Sequence, residues 1–153
     1  MILPAIGDFR LNTEADTAKF GAAVGAELAK GEAVCLSGPL GAGKSVLARG
    51  LIRSLAPREG DVPSPTFTLV QFYRGRRFAI AHFDLYRLTS PQEAFAIGLD
   101  EALGDGAAVI EWAERLGHHL PPNRIDIDLT IDGGARHARL TPHGAWEERA
   151  LDV

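Results

Sequence analysis

Apolar residues recur at four-residue spacing at Phe20, Val24 and Leu28, and again at Leu47, Leu51 and Leu55 with Ala48 and Ile52 beside them. That period belongs to helices that bury one face. Thr13-Glu14-Ala15-Asp16 precedes the first run, and its hydroxyl and carboxylate can each accept a free backbone N–H at a helix start. Gly31 predicts the stop of that helix. The second spans Lys44 to Leu55 and is closed by Pro57. Between them, Ala33 to Ser37 is a short apolar run that reads as a buried strand.

Further along, Arg58 to Pro65 carries Gly60, Pro63 and Pro65 and reads as a loop. Thr66 to Tyr73 and Arg77 to Phe83 predict two strands joined by a tight turn at Gly75. Arg74, Arg76 and Arg77 crowd that turn, the pattern of a solvated tip, with a small RNA or partner contact as the alternative. Ser90 to Ile97 predicts a short helix with Glu93 three residues after a serine cap, and Ala107 to Trp112 another buried strand. Ile125 to Ile131 and Arg136 to Thr141 alternate around Asp132-Gly133-Gly134, a hairpin signature. The expected fold is α/β: one P-loop NTPase-like domain over residues 1–153, with a mixed sheet flanked by helices and a C-terminal β-hairpin.

Composition narrows the function. With 46% hydrophobic and 24% charged residues the chain is of ordinary globular type, and its net charge of -4 argues against a broad nucleic-acid-coating face. The single cysteine, Cys35, has no partner for an internal disulfide and sits in a core strand, where an inert buried thiol is expected. No apolar run reaches bilayer length, and Met1 to Leu11 lacks the basic start and apolar stretch of a signal peptide. A cytoplasmic protein without membrane contact is the expectation.

Gly38-Pro39-Leu40-Gly41-Ala42-Gly43-Lys44-Ser45 satisfies G-x-x-x-x-G-K-[ST] in full, between an apolar strand and an apolar helix. Its glycines let successive backbone N–H groups converge on phosphate oxygens, and the helix adds the positive end of its dipole. Lys44 can reach the β and γ phosphates, and the Ser45 hydroxyl can ligate Mg²⁺. Gly38, Leu40, Gly41, Ala42, Gly43, Lys44 and Ser45 are thus the candidate nucleotide-binding residues.

Such a loop needs an acid to complete the Mg²⁺ shell, and two follow buried strands: Glu111 after Ala107 to Ile110, and Asp84 after Ala79 to Phe83. Strand ends also carry acids merely because they reach solvent. Ser64-Pro65-Thr66-Phe67-Thr68 lies where GTPases place a switch, so Thr66 either senses the γ-phosphate or only begins a strand. His82 reads as packed, or as support for a neighbouring group. Trp112 should point opposite to Glu111 and pack. Tyr86 and Arg87 either contact phosphate or a partner, or simply cover a helix. If the helix from Glu14 runs antiparallel to the strand feeding the loop, Asn12 and Thr13 flank the base, with Arg136 beside the hairpin turn as a further candidate.

Gly-Pro-Leu-Gly-Ala-Gly-Lys-Ser, Ser-Pro-Thr-Phe-Thr-Leu-Val, His-Phe-Asp-Leu-Tyr-Arg-Leu and Val-Ile-Glu-Trp-Ala-Glu-Arg-Leu occur in this order. Together they resemble the TsaE (YjeE) family, bacterial P-loop ATPases of tRNA threonylcarbamoyladenosine synthesis, from about Thr13 to Leu140. The resemblance implies ATP and Mg²⁺ as cofactors, Lys44 and Ser45 on phosphate and metal, Glu111 as the Mg²⁺-site acid, and Thr66 and Asp84 as switch threonine and motif aspartate. It implies TsaD and TsaB as partners, with tRNA reached through their complex, and an ATP-driven reset step. Pro39 stands where the family usually has an acid, and Ser45 where it usually has threonine. A small-molecule kinase and a non-catalytic ATP-dependent switch are the competing readings.

Overall fold

The computed structural model describes every residue from Met1 to Val153. Its elements in chain order are β1 (Ile2–Pro4), β2 (Gly7–Leu11), α1 (Glu14–Glu27), β3 (Ala33–Ser37), α2 (Lys44–Leu55), β4 (Val70–Arg74) and β5 (Ala79–Asp84). They continue with α3 (Gln92–Ala96), α4 (Leu99–Asp105), β6 (Gly106–Glu111), β7 (Arg124–Asp132), β8 (Ala135–His143) and β9 (Ala150–Asp152). Short 3₁₀ turns cover Ala113–His119 and Gly144–Glu148.

Seven strands form one sheet in the order β2-β8-β7-β3-β6-β5-β4, and β1 pairs separately with β9. Strands β7, β3, β6 and β5 are mutually parallel. The expected C-terminal hairpin, β7 with β8, joins antiparallel β2 at one edge, and antiparallel β4 closes the other. This is the expected α/β mixed sheet flanked by helices.

The two-residue alternation of the central strands divides the core. Val34, Leu36, Ile80 and Val109 point to the face covered by α1 and α2. Ala33, Cys35, Ala81, Phe83, Ala108 and Ile110 point to the opposite face, with Ala94, Leu99 and Leu116. Helices α1 and α2 meet backbone to backbone: a Cβ at Gly21 would lie 2.2 Å from the Leu47 carbonyl oxygen.

The Thr13 cap forms as read, with Asp16 N–H donating to Thr13 Oγ1 at 3.0 Å and Thr13 N–H to Asp16 Oδ2 at 3.2 Å. Several boundaries differ from the sequence reading, among them the strand read from Arg77, which begins at Ala79. Helix α1 ends at Glu27 rather than Gly31, because Leu28 turns extended and is fully buried. Edge strand β4 begins at Val70, not Thr66, because Leu69 takes a positive φ of 68°. Helix α3 covers only Gln92–Ala96, and Glu93 reaches back to Thr89 rather than Ser90. The strand read through Trp112 stops at Glu111. Arg77 also leaves the hairpin tip and donates to the carbonyl of Gly25 at 3.3 Å, where a cation offsets the helix dipole of α1.

Candidate functional site

Strand β3 ends at Ser37, and the next six residues wrap back before α2 begins at Lys44. Gly38 has a φ of 137°, and a Cβ there would sit 2.2 Å from the Leu129 carbonyl oxygen, so only glycine fits this turn against β7. Helix α2 opens at Gly43 with no side-chain cap, which leaves its first backbone N–H groups facing the loop.

Above the loop lies a cleft of about 390 Å³. Leu40, Gly41, Gly43, Lys44 and Ser45 line it, and so do Thr13, Thr66, Asp84, Glu111 and Arg136. Of the residues proposed from the sequence, Gly38, Ala42 and Arg87 are not in its lining, and Arg87 lies over the Phe67 ring instead. Ala42 is fully buried and shapes the loop from below. The N-terminus of α1 does return to this end of the sheet, bringing Asn12 and Thr13 to the rim. Arg136 donates through Nε to the Gly41 carbonyl at 3.1 Å and through a terminal nitrogen to the Ala135 carbonyl at 3.0 Å, so it braces the loop.

The two acids reach the cleft through strand register. Asp84 of β5 pairs with Glu111 of β6, and both side chains face α2. Glu111 is buried and accepts from Ser45 Oγ at 2.8 Å through Oε1. Its Oε2 lies 2.6 Å from His82 Nε2. Asp84, also buried, accepts from Thr66 Oγ1 at 3.0 Å and from the Tyr86 backbone N–H at 3.0 Å. Ser64 Oγ extends this chain, 2.9 Å from Thr66 Oγ1. Thr66 therefore does not open a strand. It hangs from Asp84 in a turn on the cleft wall.

Lys44 Nζ donates to the carbonyls of Gly38 and Pro39, the latter at 2.8 Å, and lies 4.1 Å from the centroid of the Trp112 ring. Burial pushes its pKa below the ordinary lysine value, and the charges of Glu114, Glu111 and Asp84 oppose that shift. Trp112 corrects the sequence reading: it lines the same cleft as Glu111. Strand alternation sends neighbours to opposite faces only while the strand lasts, and Trp112, with a φ of 58°, lies beyond its end. Tyr86 stacks on it at 4.8 Å between centroids. No periodicity signalled this aromatic wall, because it depends on one left-handed residue.

The family model described as "Threonylcarbamoyl adenosine biosynthesis protein TsaE" matches residues 11–139. The chain belongs to the TsaE family. Among relatives, the protein from Rickettsia bellii named tRNA threonylcarbamoyladenosine biosynthesis protein TsaE is 40% identical over 132 residues, covering 86% of this chain and 92% of its own. The TsaE protein of Treponema pallidum is 43% identical over 117 residues, covering 76% and 85%. The crystal structure of Bacillus subtilis YdiB superposes with a TM-score of 0.74 at 26% identity, over 97% of this chain and 90% of that one. Membership of the TsaE family assigns the chain to threonylcarbamoyladenosine biosynthesis and fits a nucleotide-binding loop. No helix is long and apolar enough to cross a membrane.

Proposed function

We propose that this chain is a Mg²⁺-dependent ATPase whose hydrolysis resets a TsaD–TsaB complex that forms N6-threonylcarbamoyladenosine at position 37 of tRNA in the cytoplasm. The observation that carries the reading is the convergence of Ser45 and Glu111, 2.8 Å apart, at the foot of a cleft floored by the glycine loop. A hydroxyl and a carboxylate are hard oxygen donors. Mg²⁺ is commonly held by one or two such groups together with nucleotide phosphates, so the residues present fit it.

In this reading Ser45 and Glu111 hold the metal, which neutralises charge on the phosphate oxygens. The backbone N–H groups of Gly38 and of residues 40–45, together with the Lys44 ammonium, bind the phosphates; Pro39 has no N–H to offer. Thr66 and Asp84 orient the attacking water: Asp84 accepts from Thr66, and that fixes the hydroxyl at the wall. Thr13, at the rim, sits where the base and ribose leave the loop. Arg136 braces Gly41 beside it.

Lys44 and Arg136 are the basic residues lining the cleft, and both donate to backbone carbonyls there, so the chain itself brings few free cationic donors to the phosphates. A second cation supplied by a partner can be worth about 10³–10⁵ in rate, so the isolated chain should turn over slowly and the complex faster. The test is phosphate release by the purified chain with and without TsaB and TsaD, alongside complex formation in ATP and in ADP. Equal partner affinity in both nucleotides together with unaltered hydrolysis would rule this mechanism out.

A further inference from the structure

His82 is fully buried on β5, two residues before Asp84, yet it touches neither the cleft nor solvent. Its ring meets one polar group, Glu111 Oε2, at 2.6 Å. Its other nitrogen, Nδ1, is buried without a hydrogen-bond partner. An imidazole buried with one nitrogen unpaired calls for an account beyond side-chain volume, and its contact with Glu111 offers one.

We infer that His82 is a positioning residue for Glu111, donating Nε2–H to Oε2 so that Oε1 alone is presented to Ser45 and the metal. Glu111 Oε1 accepts from Ser45 at 2.8 Å, and a carboxylate that serves a metal has only acceptor sites on Oε2 as well. With Glu111 in that role, the proton between it and His82 sits on Nε2, and Nδ1 is the bare lone pair. That assignment leaves a bare acceptor unpaired rather than a buried N–H, the rarer of the two orphans in folded proteins. The diagonal geometry follows from register: His82 pairs with Val109, two residues before Glu111 on the same face of β6. Held at Oε2, the Glu111 side chain cannot swing away or turn both oxygens to one ion.

This inference rests on Glu111 facing the metal, and the two claims fail separately. On the full chain, ATP affinity is measured by calorimetry with Mg²⁺ and with EDTA. His82→Leu should weaken the Mg²⁺-dependent part of binding about 10–100-fold, as loss of an orienting partner does, while affinity in EDTA stays within about twofold. His82→Gln, whose amide nitrogen can replace Nε2 as donor, should restore most of it. Equal losses in both variants would make the role one of ring packing, and no loss in either would also overturn the inference. If Glu111→Gln alone abolishes the Mg²⁺ response, the site assignment stands and the positioning role falls. If neither position affects it, both fall. Should the variants fold poorly, ¹⁵N-histidine spectra of the unaltered protein decide: Nε2 of His82 is expected to carry the proton, and the opposite tautomer would overturn the inference.

Discussion

Asp84 and Glu111 are register partners at the ends of adjacent parallel strands, yet their hydrogen bonds run to opposite walls of the cleft. Glu111 accepts from Ser45 on the loop helix, and Asp84 accepts from Thr66 on the loop before β4. Neighbouring carboxylates with different partners are suited to different tasks. Glu111→Gln keeps the shape but removes the charge offered to a metal, so Mg²⁺-dependent turnover should fall about 10²-fold or more while binding in EDTA survives. Asp84→Asn should also slow turnover but leave the Mg²⁺ requirement of binding unchanged. Phosphate release and calorimetry, run over a Mg²⁺ series, separate the two.

Lys44→Ala removes the ammonium from the loop carbonyls and from the phosphate position. A charge-assisted bond of this kind contributes about 1.5–3 kcal/mol, so ATP affinity should drop at least about tenfold with the fold intact. Unchanged affinity, with an unaltered circular dichroism spectrum, would move the phosphate site elsewhere.

Gly21→Ala tests the helix contact. The new Cβ would meet the Leu47 carbonyl oxygen at 2.2 Å, and backbone cannot step aside as a side-chain tip can. A loss of about 1–3 kcal/mol, read as a lower urea midpoint, is expected from such overpacking.

Arg149 closes the far end of the molecule. Its guanidinium pairs in fork fashion with the buried Glu32 carboxylate, one bond being 2.6 Å, and also reaches the Glu27 carbonyl at 3.0 Å. Arg149→Ala strands Glu32 and should cost about 1.5–3 kcal/mol. Arg149→Lys, lacking the fork, should recover only part of that.

Burial pushes the Cys35 thiol well above its ordinary range. The folded chain therefore keeps that proton where the unfolded chain loses it, so the associated stability is full below about pH 8.5 and declines as pH rises beyond it. Tyr73, also raised by burial, adds the same sign at higher pH. Cys35→Ala should flatten the alkaline decline of the unfolding free energy, and the native thiol should stay unreactive toward disulfide reagents until the chain unfolds.

Much of this was legible in the sequence because it rests on local rules. Strand β3 and helix α2 have the boundaries their apolar periods predict, and the Thr13 cap and the Gly133-Gly134 hairpin are written in side-chain chemistry. What escaped depends on distant chain. Strand β2 reads as mixed residues until β8 pairs with it, and α4 is only seven residues long. The positive φ values at Leu69 and Trp112 leave no periodic trace, although one ends the Thr66 turn and the other brings an aromatic ring under Lys44.

The contact of α1 with α2 has a mechanical consequence. Because the two helices touch at their backbones, the rim carrying Thr13 and the loop carrying Lys44 form a single stiff jaw. The opposing jaw is the segment of Ser64 and Thr66, fastened to the sheet by the short chain of hydroxyls ending on Asp84. The two sides of the cleft are thus held by different means, the one by helix packing and the other by two side-chain hydrogen bonds that a single substitution at Thr66 would remove.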